Sequence, residues 1–228
     1  MLFLQIFLSI FATVVVYIGA KALYRRFPYP FMLPVLVSTI VLIFLLLLFQ
    51  ISFETYYTGG QWLEKLLGPG VVALAYPLYK QMKLLRSYFW PIVISVFIGA
   101  VIGMTSGLLL TKWGGFEAEL VYTMVPKSVT APVAMDMATT LGGISPLAAV
   151  LVMVAGVGGS VFAPYCFRWF NIKNEVSKGV AIGSASHAIG TAKAIENSER
   201  EGAASSVAMT LSAIIVSVIG PMLVFLFY

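Results

Sequence analysis

The sequence predicts an all-α integral membrane protein with about eight membrane segments, including discontinuous or re-entrant helices. Of its 228 residues, 60% are hydrophobic and only 10% are charged, and the mean hydropathy is +0.97. Soluble domains are about half apolar and a quarter charged. Long uncharged runs alternate with shorter runs that are interrupted by proline, glycine and polar residues. Long runs of this kind predict spanning helices, and the interruptions predict broken ones.

Five runs without Asp, Glu, Lys or Arg are long enough to cross a hydrocarbon layer of about 30 Å, which takes roughly twenty helical residues. They are residues 1–20, 27–53, 87–111, 137–167 and 202–228. We expect each to span the membrane as a helix, because a backbone in contact with lipid must satisfy its own hydrogen bonds.

Three further apolar segments, 66–79, 120–140 and 179–192, are short or interrupted. Proline removes a backbone donor and disfavours helix before it, and glycine lets another backbone approach closely. We therefore predict a broken or re-entrant helix in each. The helix-breaking residues are Gly68, Pro69, Gly70, Pro77, Pro126, Pro132, Gly183 and Gly190.

The chain is interpreted as one polytopic membrane domain over residues 1–228, with two N-terminal spanning helices in 1–60 and a broken-helix transport core in 61–228. An offset of 55 residues also aligns Pro77 with Pro132, Pro91 with Pro146 and Gly103 with Gly158. This alignment predicts an internal repeat of a broken segment followed by a span. The units could be parallel or inverted. Such paired broken segments are typical of transporter binding sites.

The orientation follows from the basic residues, which concentrate in cytoplasmic loops. Six of them follow the first span and the segment 66–79: Lys21, Arg25, Arg26, Lys80, Lys83 and Arg86. This pattern predicts an external N-terminus. The later basic residues Arg168, Lys173 and Lys178 conflict with it, because a plain count of crossings places them outside.

The first polar island, residues 126–143, contains Lys127, Ser128 and Thr130 just after Pro126. Proline favours the first turn of a helix. A half-helix N-terminus carries unpaired amides and partial positive charge, so with the lysine it would attract a small carboxylate. The alternative is that Lys127 extends to the lipid headgroups from an ordinary helix end.

Asp136, in the same island, is a candidate for proton coupling, since an intramembrane carboxylate is costly without a function. It would approach Lys127 if Pro132 broke the helix between them. It could equally be an interfacial residue that ends the segment before Gly142.

The second island, residues 183–196, holds the single histidine. Ser184, His187 and Thr191 are spaced three and four apart, which places them on one face of a helix. With Ser186 and Lys193 they are predicted to bind the polar end of a small substrate, and His187 can change charge near neutral pH. The alternative for His187 is a satisfied packing residue. Glu196 could pair with Lys193 or take part in proton coupling.

The sequence predicts neither an enzyme nor a cofactor. A paired-histidine metal motif, a G-x-S-x-G elbow and a phosphate-binding G-x-x-x-x-G-K are all missing from it. Cys166 is the only cysteine, so a thiolate metal site is not expected.

Parts of the two islands and the stretch after the second resemble the LrgB/CidB family of bacterial membrane proteins. They are PKSVTAPVAM (126–135), HAIGTAKAIE (187–196) and EGAASSVAM (201–209). The stretches MDMATTLGGISPLAAV (135–150) and GPGVVALAYPLYKQ (68–81) extend the resemblance to nearly the whole chain. Ala131 departs from it, since a second hydroxyl residue is expected after Thr130.

The resemblance implies a multi-pass protein of the bacterial inner membrane and two alternative functions. One is holin-like or antiholin-like control of murein hydrolase activity and lysis, with a small LrgA/CidA-type membrane partner. The other is transport, because the family is similar to the plastidial glycolate/glycerate transporter and to bacterial pyruvate facilitators. The polar islands favour transport, and we expect a carrier that moves a short monocarboxylate by alternating access and forms a homodimer.

Overall fold

The computed structural model describes residues 2–27, 29, 32–66, 69, 72, 76, 79 and 82–227. Every regular element among them is helical, which confirms the all-α prediction. The chain forms two compact units, Met1–Leu74 and Ala75–Tyr228. Most of segment 66–79, including Gly68, Gly70 and Pro77, lies outside the described residues. Pro69 is described and is helical.

The first unit contains α1 (Leu2–Arg26), α2 (Pro34–Leu48) and α3 (Phe53–Glu64). Ser52 caps α3 by accepting a hydrogen bond from the Thr55 amide at 3.2 Å. Helices α1 and α3 pack closely at Gly59, where a Cβ would lie 2.7 Å from the carbonyl oxygen of Ile6. A hydrogen bond of 2.9 Å between the hydroxyls of Thr13 and Tyr56 adds to this contact. Because Gly59 has no side chain, the backbones of α1 and α3 can approach closely at this position.

The second unit contains seven helices among its described residues. They are α4 (Met82–Ser87), α5 (Phe89–Trp113), α6 (Ala118–Met124), α7 (Ala131–Leu141), α8 (Ser145–Trp169), α9 (Glu175–Asn197) and α10 (Glu199–Phe227). One apolar cluster joins α5 to α6, α7 and α8 through Met104, Val121, Met137 and Val152. A second cluster joins α5 to α9 and α10 through Ile92, Val180 and Ala204.

Within the described chain, four helices are long and apolar enough to cross a membrane: α1, α5, α8 and α10. The predicted span 27–53 contains α2, whose 15 residues cover only about 22 Å. The predicted span 137–167 is wrong as one helix. It is interrupted at Gly142, which takes a left-handed conformation with φ of 84° and ends α7. Glycine adopts this conformation without steric cost, so α8 begins afresh at Ser145.

Helix α9 folds back on itself as a hairpin, with its turn at His187, where φ is 41° and ψ is −129°. A Cβ on Gly190 would lie 2.5 Å from the Ile182 side chain, although a straight helix would separate these residues by about 12 Å. Both limbs also contact the same part of α10, since Gly183 and Thr191 each touch Ser205. The first limb, residues 175–186, covers about 18 Å, so the hairpin enters the unit and returns to the same end.

Helices α6 and α7, with residues 125–130 between them, form a second hairpin. Met124 lies near Gly107 of α5 and Ser128 lies near Gly103, so α6 runs back along α5 to its middle. The chain then returns along α7, after which the Ile144 amide donates to the Thr123 hydroxyl at 2.7 Å. This bond joins the last turn of α6 to the segment just after α7, which shows that the chain doubles back between them. The predicted breaks in 120–140 and 179–192 thus correspond to two hairpin turns.

The two hairpins enter from opposite ends of the second unit. The ends of α9 lie where α5 and α10 begin and α8 ends. Val176 belongs to the same buried cluster as Ile92, and Asn197 donates to Glu201. Arg168 of α8 lines one cavity with residues of both α9 limbs. We call this the basic end, because Arg86, Arg168, Lys173, Lys178 and Lys193 lie there. At the other end, Lys112 donates to the carbonyl oxygen of Phe227 at 2.6 Å. Since the α6–α7 hairpin returns to the end at which it enters, Arg168, Lys173 and Lys178 lie at the same end as Arg86. Within this unit, the later basic residues therefore no longer conflict with the earlier ones.

Candidate substrate-binding cavity

A cavity of about 650 Å³ lies in the second unit between α5, the turn of the α6–α7 hairpin, α8 and the first limb of α9. It begins at the basic end, near Tyr88 and Asn174, and reaches Lys127 and Ser128 at the middle of α5. The tip of one hairpin and the side of the other therefore share one cavity.

Lys127 lies in the hairpin turn, before α7. Its Nζ atom donates to the carbonyl oxygen of Gly103 at 2.5 Å. Helix α7 begins at Ala131 with Pro132 in its first turn, while Pro126 is buried. The sequence therefore placed the half-helix start five residues too early, because both prolines satisfy the N-terminal preference. Lys127 precedes the free amides of α7 instead of belonging to its first turn.

The two hydroxyl residues that follow Lys127 have different positions. Ser128 lines the cavity with Lys127. Thr130 is buried as the N-cap of α7, and its backbone carbonyl accepts from the Ala134 amide at 2.9 Å. Of the pair, only Ser128 is placed to contact a ligand in this cavity.

On the α9 hairpin, Ser184 lines the same cavity and donates its hydroxyl to the Val180 carbonyl at 2.8 Å. Ser186 is buried just behind the cavity wall, with its Oγ atom against Gly159 of α8. That oxygen is one of two buried side-chain oxygens without a hydrogen-bond partner in the described structure. Ser184 is thus a lining residue and Ser186 lies in the layer behind it.

His187 and Thr191 point away from the cavity lining. Nε2 of His187 lies 3.0 Å from the Val152 carbonyl oxygen of α8, so the imidazole donates to it through that nitrogen. Thr191 pairs with the Ser205 hydroxyl of α10 at 2.8 Å. The prediction that Ser184, His187 and Thr191 share one face is wrong, because the turn at His187 ends the helical periodicity on which it relied.

The glycines predicted to break α9 instead permit close packing. A Cβ on Gly183 would meet the Ser205 backbone, and one on Gly190 would meet the other limb. Small residues of this kind allow helices in membranes to approach closely. Lys193 lies outside the cavity and forms an ion pair of 3.2 Å with Glu196 along the second limb, near the basic end.

Asp136 faces a different cavity, of about 280 Å³, between α7 and α10. It is exposed there beside Thr140 and Ser217. Pro132 does not break the helix between Lys127 and Asp136, since it stands in the first turn of α7. The two charged residues of the first island are therefore separated.

Three polar lining residues were missed: Ser95 on α5, Asn174 and Ser177. Asn174 caps α9 by accepting from the Ser177 amide at 3.1 Å. The sequence does carry the signal of a cap here, an Asn just before a helical run. No signal distinguished Ser95 from other isolated serines. The described residues contain no cluster of three or more His, Cys, Asp or Glu that could hold a metal ion.

A profile of the LrgB-like family matches residues 13–226 of this chain. The chain belongs to that family. This bears out the resemblance carried by the two polar islands. Membership covers both units and all the cavity residues named above.

The chain is similar to several curated proteins over almost its full length. It is 44% identical to the uncharacterized protein YxaC of Bacillus subtilis, over 96% of this chain and 95% of that protein. It is 41% identical to the uncharacterized protein YwbG of the same organism, over 94% of this chain and 96% of that protein. It is also 37% identical to the holin-like protein CidB of Staphylococcus aureus, over 99% of each chain. No solved structure matches significantly.

Proposed function

We propose that this LrgB-family protein is a membrane carrier for small monocarboxylates of the pyruvate, glycolate or glycerate type. One observation carries the proposal: a cavity that begins at the basic end finishes at Lys127, on a hairpin that enters from the opposite end. A lysine at the depth of the middle of a spanning helix, here beside Gly103 of α5, is costly unless it has a function.

The lining suits a short anion with a hydroxyl or keto group. Lys127 supplies positive charge, and its single bond to Gly103 leaves two of the three ammonium donors for a carboxylate. Ser95, Ser128 and Ser184 supply hydroxyl groups along the way. The remaining lining is mostly apolar or glycine, which limits the ligand to one charged end.

Alternating access follows from the opposed hairpins. Each reaches about half of the membrane depth, so a small movement of one hairpin could close the cavity on one side and open it on the other. The internal repeat predicted from the 55-residue offset would be inverted in this scheme, because α5 and α8 run in opposite directions. We place the basic end in the cytoplasm of a bacterial cell, following the bias of basic residues.

Uptake into liposomes that contain only this protein tests the proposal. Labelled pyruvate, glycolate and glycerate are offered to wild type, to Lys127→Met and to a matched control, Lys83→Met, which removes an exposed lysine outside the cavity. We expect saturable uptake in wild type and control, reduced at least tenfold in Lys127→Met. Absence of saturable uptake, or full uptake by Lys127→Met, contradicts the carrier.

The comparisons favour a second function more directly than they favour transport. The relatives named holin-like protein CidB match this chain over 99% of its length. The second candidate is therefore holin-like or antiholin-like control of murein hydrolase activity, together with a small LrgA/CidA-type membrane partner.

The second candidate makes a different experimental prediction. Co-expression with a small membrane protein of that type should give a complex that survives purification, and deletion of this protein should change the rate of autolysis. Complementation by Lys127→Met separates the two functions. If the protein controls lysis without transport, Lys127→Met should restore the normal rate of autolysis to the deletion strain. If autolysis depends on transport, Lys127→Met should not restore it.

A further inference from the structure

A second cavity, of about 710 Å³, lies at the basic end on the other side of the first limb of α9. The end of α8, both limbs of α9 and the start of α10 surround it. We call it the basic cavity, because Arg168, Lys173, Lys178 and Lys193 line it, against the carboxylates of Glu175 and Glu201.

The cationic groups of the basic cavity are only partly neutralised from within. Lys193 pairs with Glu196, and the buried Glu201 carboxylate accepts from Asn197 at 2.9 Å. Within the described part of the chain, Arg168, Lys173 and Lys178 have no carboxylate at ion-pair distance. Three cations around one cavity would favour a ligand with a delocalised negative charge, such as a phosphate.

The surface beside Arg168 is aromatic and exposed. Tyr165, one turn before Arg168 on α8, is 43% exposed, and Trp169 and Phe170, which directly follow Arg168, are 79% and 74% exposed. Tryptophan and other aromatic residues at the end of a spanning helix mark the level of the lipid headgroups. Arg168 therefore lies at the edge between the basic cavity and a surface on which acyl chains can pack. A soluble phosphate would have no use for this surface.

We propose that the basic cavity binds the phosphate headgroup of an anionic membrane lipid, with the acyl chains along the exposed aromatic face of α8. Basic pockets between membrane helices on the cytoplasmic side are suited to such headgroups. This proposal does not depend on the transported substrate.

A bound headgroup would also support the wall of the Lys127 cavity. The first limb of α9 separates the two cavities: Lys178 and Ile182 face the basic cavity, while Ser177 and Ser184 face the other. Occupation by a lipid would therefore fix the limb from behind. We expect anionic lipid to raise the thermal stability of the protein.

Retention of lipid by the intact purified protein tests the proposal. Native mass spectrometry and thermal unfolding are measured after reconstitution with phosphatidylcholine alone, with added phosphatidylglycerol, or with added inorganic phosphate. The variant Arg168→Gln/Lys178→Gln is compared with Arg86→Gln/Lys83→Gln, which removes the same two charge types at the same end, outside the cavity.

We expect phosphatidylglycerol to be retained and to raise Tm in wild type and in the control variant. Each Lys or Arg near an anionic membrane surface raises the binding affinity about fivefold. The cavity variant, which loses two such residues, should therefore bind phosphatidylglycerol on the order of 20-fold more weakly. Equal retention by both variants overturns the site. An equal rise in Tm with inorganic phosphate overturns the lipid as its ligand.

Discussion

Gly107 leaves the space that the ammonium group of Lys127 occupies: a Cβ on Gly107 would lie 2.6 Å from Nζ. The lysine can reach the Gly103 carbonyl only because α5 carries no side chain at this point. A glycine one turn along the same helix thus determines where the charge of the cavity lies.

Gly107→Ala should displace Lys127 with little loss of fold stability, because the atom in conflict is the far end of a flexible side chain. We expect uptake of labelled carboxylate to fall at least tenfold, while Tm stays within a few degrees of wild type. Gly158→Ala is the control, since nothing lies within 4 Å of its added Cβ. Unchanged uptake by Gly107→Ala would show that the position of Lys127 does not matter for transport.

Gly183→Ala should destabilise the protein, because its Cβ would meet the backbone of Ser205, with the Ser205 Cα atom at 2.9 Å. Overpacking of this kind typically costs about 1–3 kcal/mol. At Gly158 the same substitution should stabilise by up to about 1 kcal/mol, because alanine is the better helix former. Thermal unfolding of both variants in one detergent provides the comparison. A Gly183→Ala variant as stable as Gly158→Ala would contradict the close contact of α9 with α10.

The backbone of His187 has a φ of 41°, which residues other than glycine rarely adopt. Both His187→Ala and His187→Gly lose the hydrogen bond to Val152, but only glycine takes this conformation without steric cost. We therefore expect His187→Gly to be more stable than His187→Ala by about 1–3 kcal/mol. The reverse order, measured by thermal unfolding, would indicate that α9 continues as a helix through this position.

The sequence predicted the helical class, the spans α1, α5 and α10 and the existence of breaks near Lys127 and His187. These depend on composition and local chain stiffness, which hydropathy, proline and glycine report well. The positions of the breaks were less accurate. His187 turns the chain although histidine is no helix breaker, and the reason is tertiary: its imidazole is held by Val152 and fits against Gly156.

Only part of the candidate site was predicted correctly, because the position of the hairpin turn was not predicted. Lys127, Ser128 and Ser184 lie on one cavity, as expected, whereas His187 and Thr191 pack against neighbouring helices. Helical periodicity assigns faces only while a helix continues, and the hairpin turn invalidates it after Ser186. The 55-residue repeat and the total of eight membrane segments stay predictions.

Because α9 folds back at His187 and both of its ends lie at the basic end, we expect both ends to be accessible from one side of the membrane. Asn174→Cys and Asn197→Cys, each made in a Cys166→Ala background, should react with a membrane-impermeant maleimide added to that side alone. Glu117→Cys, at the start of α6, should react only from the opposite side. All three positions are exposed. Labelling of positions 174 and 197 from opposite sides would mean that α9 crosses the membrane.

Asp136 and Glu196 are the two carboxylates that the sequence offered for proton coupling, and the structure gives them different surroundings. Glu196 pairs with Lys193 at an exposed position, while Asp136 faces the cavity between α7 and α10, beside Thr140 and Ser217. A carboxylate that carries a proton across must lose and regain it during the cycle, so we expect it to face a cavity and not a fixed partner. Asp136→Asn should therefore abolish accumulation driven by a pH gradient but leave exchange of labelled for unlabelled substrate intact, whereas Glu196→Gln should change neither. Accumulation by Asp136→Asn at the wild-type rate would remove Asp136 from the transport cycle, and it would assign the residue to the packing or assembly of α7 and α10.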